Sequence, residues 1–107
     1  MPYFITSFQK PLHHKAGDYN RDIKRVSPLF PNRYYAEKYL YGLMSKNRHS
    51  GMFLRIDWNI RHNPVVYADL DEMGGLVRFR SRDGYHWTSA ITLQEFRQRL
   101  IRMSKYA

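Results

Sequence analysis

Two alternating runs meet at Asp83-Gly84, and this junction constrains the fold more than any other stretch of the chain. Leu76-Val77-Arg78-Phe79-Arg80 precedes it, and Tyr85-His86-Trp87-Thr88-Ser89-Ala90-Ile91 follows it. Asp-Gly between period-two runs predicts a two-residue type I′ hairpin, because that turn asks both central residues for positive φ. Counting outward sets the register: Arg82 faces Tyr85, Arg80 faces Trp87 and Arg78 faces Ser89. These six side chains share one face. The other face carries Val77 with Ala90, Phe79 with Thr88, and Ser81 with His86, and its central pairs are the more core-like.

The same period recurs upstream. Met52, Leu54, Ile56 and Trp58 alternate with Phe53, Arg55 and Asp57, the mark of a half-buried strand. Asn63-Pro64 breaks the pattern and Val65 to Leu70 resumes it, with a turn at Asp71 to Gly75. Tyr3 to Phe8 is rich in β-formers and predicts a first strand. Two helices complete the pattern. Pro31-Asn32 opens one over 33–46, with Asn32 as cap and Ala36, Tyr39, Leu40 and Leu43 as its apolar stripe. On this reading Tyr39 and Tyr35 are core, while Tyr34 and Tyr41 lie off the stripe. The other helix spans 92–104, where Thr92-x-x-Glu95 is a capping box and Ile91 with Phe96 a hydrophobic staple. Leu93, Phe96, Leu100 and Met103 turn inward from it.

The expected order is β-α-β-β-β-β-α, with strands near 3–8, 52–58, 65–70, 76–82 and 85–91. That order predicts a single small α+β domain over residues 1–107, an antiparallel meander with its helices packed on one face. Residues 9–31 hold Pro11, Gly17, Asp18, Asn20, Pro28 and Pro31 without sustained periodicity, and read as a long basic loop.

Composition narrows the function. The chain has 18 Lys+Arg against 9 Asp+Glu, a net charge of +9, which favours a polyanionic partner. Twelve of the 18 are arginine, the residue suited to bidentate phosphate contacts and to stacking on rings. Nine Tyr, six Phe and two Trp supply the rings. The absence of cysteine excludes disulfides, thiolate metal sites and thiol nucleophiles, and suits a cytoplasmic, reducing setting. No apolar run approaches a membrane span, and Met1-Pro2-Tyr3 begins no signal peptide.

The candidate interface is the hairpin row Arg78, Arg80 and Arg82 interleaved with Tyr85 and Trp87, where phosphates meet arginines and bases stack on rings. Arginines opposite aromatics also stabilise a hairpin by cation–π contact with no ligand involved. Arg99, Arg102 and Lys105 offer a second basic surface on the last helix. The expected function is a small non-enzymatic nucleic-acid-binding protein, DNA or RNA, acting as a regulator or a nucleoprotein-complex component. The alternative is a protein-binding inhibitor or adaptor that docks this face on an acidic protein surface. A third reading is a metal-free ribonuclease-like toxin in which His86 is the acid–base and Asp71 or Glu72 its partner. No metal or cofactor is expected: His13-His14, His49 and His62 make no ligand spacing, and no phosphate loop or dinucleotide fingerprint occurs.

Overall fold

A computed structural model describes residues 2–9, 23–46, 51–59, 63–71, 75–81 and 83–106. Six strands and two helices follow in the order β1 (Tyr3–Gln9), β2 (Lys24–Arg25), α1 (Arg33–Lys46), β3 (Met52–Trp58), β4 (Asn63–Asp69), β5 (Leu76–Phe79), β6 (Ile91–Thr92) and α2 (Leu93–Ser104). The strands form one antiparallel sheet, ordered β2-β1-β3-β4-β5-β6. The α+β meander with two helices is therefore as expected, and no helix among the described residues is long and apolar enough to cross a membrane.

Alternation divides the sheet into two faces. Ile5, Leu54, Ile56, Val66, Ala68, Val77 and Phe79 form the helix side, joined in one core by Ala36, Leu40, Met44, Leu93, Phe96 and Leu100. Phe96 lies at the centre, edge-on to both Phe79 and Tyr41. The paired residues Thr6, Arg55, Tyr67 and Arg78 run across the opposite face.

The helix caps form as the sequence predicts. Asn32 Oδ1 accepts from the Tyr34 amide at 2.7 Å, and Thr92 with Glu95 completes the capping box.

The stripe of α1 is rotated from the expected one. Ala36, Glu37, Leu40 and Met44 are buried, whereas Tyr35 and Tyr39 are exposed and Tyr34 and Tyr41 pack against the core. The cause is Glu37. Its carboxylate accepts from Arg33 Nε at 2.9 Å and from Arg99 Nε at 2.8 Å, and this pairing admits a charged residue to a position that apolar periodicity skips.

Of the loop expected over 9–31, residues 10–22 lie outside the described residues, and the remainder is partly sheet. Gln9 ends β1, Lys24 and Arg25 pair with Ser7 and Thr6, and Phe30 bridges Tyr3. Ser27 Oγ accepts the Ile5 amide at 2.8 Å, so this returning segment satisfies the outer edge of β1. Two residues are too few for periodicity to reveal. β4 likewise begins earlier than expected, at Asn63. Pro64 pairs with Asp57 and Val66 with Ile56, leaving Val65 as the extra residue of a bulge, which accommodates a proline within a strand.

Candidate nucleic-acid interface

The hairpin forms, but its turn is wider than two residues. The Gly84 amide donates to the Ser81 carbonyl at 3.0 Å, and the Ser81 amide to the His86 carbonyl at 2.8 Å. Of Asp83 and Gly84 only Gly84 takes positive φ, at 78°, so this pair does not form a type I′ turn. Asp83 explains the difference. Its carboxylate accepts from Ser81 Oγ and from the Tyr85 amide, an Asx-turn arrangement that keeps Asp83 at negative φ and leaves the left-handed position to Gly84. Those bonds, first from the Ser81 hydroxyl and then from the Tyr85 amide, hold the Asp83 carboxyl below its ordinary pKa of 3.8.

Arg80 faces Trp87, as the outward count predicts, in a bridge flanked by bonds from the Ser81 amide to His86 and from the Thr88 amide to Phe79. Beyond it the register slips. Val77 faces Ile91, not Ala90, and Leu76 faces Thr92, so Arg78 has no Ser89 opposite it. The Phe79 amide donates to the Thr88 hydroxyl at 3.2 Å, a side-chain acceptor that interrupts the backbone ladder there. The strand expected over 85–91 is thereby reduced to Ile91–Thr92 plus the bridge at Trp87. β5 correspondingly ends at Phe79, short of the expected 82.

On the face away from the helices, Trp87 meets a residue that the outward count did not include. Its ring lies 4.9 Å from that of Tyr67, tilted by 51°. Tyr67 stands opposite Arg78 on one side of β5 and Trp87 opposite Arg80 on the other, so the two rings close over β5 between the two arginines. The Arg80 guanidinium lies over the Trp87 ring at 5.5 Å. Its Nε is buried and has no hydrogen-bond partner. Arg78 is exposed, and among the described residues no carboxylate lies at ion-pair distance from it. Alternation alone, with Val66 and Ala68 inward, identifies Tyr67 as facing the same way as Arg78. What the sequence withheld was the β4–β5 register.

The remaining expected residues fall into separate places. Tyr85 is 86% exposed at the hairpin tip, and Arg82 lies outside the described residues. Arg102 on α2 and Lys105 at its C-cap are exposed, in the helix layer on the other side of the sheet, so the fold does not join them to the hairpin row. Arg99 is held inward by Glu37 and lies 4.2 Å over the Phe79 ring. It braces the two helices against the sheet.

Arg55, between Tyr67 and Thr6, is also committed. Its Nε donates to the buried Asp57 carboxylate and to Thr6 Oγ1, each at 3.0 Å. Two buried acids thus hold three arginines, Arg33, Arg55 and Arg99. Among the described residues, the surface cations Arg78, Arg97, Arg102 and Lys105 have no such acid.

The histidine expected beside a core is instead in solvent. His86 Nε2 lies 3.7 Å from Asp83, with 78% of its side chain exposed. The carboxylate at that distance belongs to Asp83, not Asp71. Glu72 and the other four histidines lie outside the described residues.

No protein-family model, curated protein or solved structure matches this chain.

Proposed function

We propose that this protein is a non-enzymatic nucleic-acid-binding module, a regulator or nucleoprotein component of a reducing compartment. Its contact surface is the Arg78–Tyr67–Trp87–Arg80 platform. The observation that carries the reading is the pair of rings beside two arginines that have no acidic partner among the described residues. Coulomb attraction between a +9 chain and a polyanion supplies affinity, and the rings supply apolar contact where bases are accessible. The arginines committed to Glu37 and Asp57 contribute to folding instead.

Electrophoretic mobility shift with duplex DNA, single-stranded DNA and RNA over a salt series tests this reading. Binding at ~50 mM salt that weakens linearly in log K against log salt is expected. No shift with any of the three would transfer the platform to an acidic protein partner. Fragmentation of labelled RNA that His86→Ala abolishes would make the protein an enzyme.

A further inference from the structure

Tyr67 and Trp87 come from opposite sides of β5, yet their ring centroids are 4.9 Å apart. The result is a pair of rings tilted by 51° to each other over β5, with Arg78 paired beside one and Arg80 beside the other. From this geometry we infer that the platform takes single-stranded nucleic acid in preference to duplex, a refinement that rests on the function proposed above.

The first reason is shape. Six strands spaced by ~4.8 Å make a plate about 24 Å wide, twice the ~12 Å major groove, so the plate cannot lay this face against the bases of a duplex. A two-stranded ribbon or a helix fits that groove, but the Tyr67–Trp87 pair spans β4, β5 and the returning hairpin arm. The second reason is what the rings offer. Duplex bases already stack on one another and present only edges, whereas unpaired bases present faces that stack on aromatic side chains in any sequence.

The third reason is Arg80. Its guanidinium lies 5.5 Å over the Trp87 ring and its Nε is buried without a partner, which holds the side chain against the ring. The terminal N–H groups, not the buried Nε, are the donors such a fork can offer a phosphate. Arg78, two residues away on the same face, presents a second cation about 6.8 Å along the strand, able to follow a single backbone.

The chain has two tryptophans, so Trp58→Phe leaves Trp87 as the sole indole reporter. Titrating this variant with an unstructured oligodeoxynucleotide, an oligoribonucleotide, the matching duplex, and polyglutamate separates the outcomes. Quenching of Trp87 by the single strands, with weaker binding and little quenching by duplex at equal salt, is expected. Trp87→Ala should then weaken single-strand binding by about 5- to 150-fold and change duplex binding less. Trp87→Phe, which keeps a ring, should retain most of the affinity and controls for folding.

Duplex binding as tight as single-strand binding, with Trp87 emission unchanged, would overturn the strand preference and leave nucleic-acid binding standing. Single-strand binding without quenching would place the contact elsewhere on the chain. Failure of every nucleic acid to bind would remove both readings, and polyglutamate binding in that case would assign the platform to an acidic protein.

Discussion

Arg99 grips Glu37 across 62 positions of sequence, donating Nε to Oε1 at 2.8 Å and Nη2 to Oε2 at 3.2 Å. The carboxylate is fully buried, and Arg33 completes its coordination from one turn earlier in α1. This bidentate pair ties α2 to α1, and Arg99 also lies over the Phe79 ring of β5. A residue that sequence patterning marks as a surface cation is therefore a structural tie.

Glu37→Gln should destabilise the fold by about 2–3 kcal/mol, less than a fully buried pair because each arginine keeps about a third of its surface in water. Thermal unfolding followed by circular dichroism should show a melting temperature lower by roughly 10 °C. Nucleic-acid affinity at a temperature where the variant stays folded should not fall, since the platform lies on the other face. A neutral effect on stability would show that the pair contributes no net energy.

Much of this architecture is legible in the sequence, and the failures share a cause. The boundaries of α1 and β3 follow from periodicity, because their backbones are regular and one face of each is buried. The capping box fixes the start of α2 for the same local reason. Errors arise where side chains act on the backbone. Asp83 turns the hairpin loop by accepting from Ser81 and Tyr85. Thr88 replaces a carbonyl in the ladder, Glu37 rotates α1, and Ser27 draws a two-residue strand onto β1. The hairpin row was only half recoverable. The Arg80–Trp87 pair follows from counting around the turn, but the meeting of Trp87 with Tyr67 depends on a β4–β5 register that no local motif encodes.

Thr92→Ala removes the hydroxyl that accepts from the Glu95 amide at 3.2 Å and unmakes the capping box. The expected loss is about 1 kcal/mol, read as a shift in the urea midpoint with the slope unchanged. Salt-dependent binding should be unaffected.

Asp83 gives the hairpin a pH dependence of defined sign. Its folded carboxyl sits below 3.8, so the ionised form is the one favoured by folding. The turn is fully supported above the ordinary value and loses this support as pH falls through the lower folded value. The Tyr85 amide resonance should therefore titrate with a midpoint below 3.8, and Asp83→Asn should abolish that titration. A midpoint at or above 3.8 would mean that the two hydrogen bonds to the carboxylate do not persist in solution.

The most direct measurement is fluorescence anisotropy of a labelled single strand against salt, for the native protein and for Arg78→Gln/Arg80→Gln. With both arginines on phosphates, the magnitude of the log–log slope should drop by about 1.4 in the double variant, at roughly 0.7 per phosphate. The exposed Arg78 change should cost no more than about 0.5 kcal/mol of stability and loss of the Arg80–Trp87 contact about 0.5–2 kcal/mol, so a melting curve establishes that the double variant is folded before the comparison. An unchanged slope in a folded double variant, or no binding by the native protein at ~50 mM salt, would contradict the assignment of this platform as the contact surface.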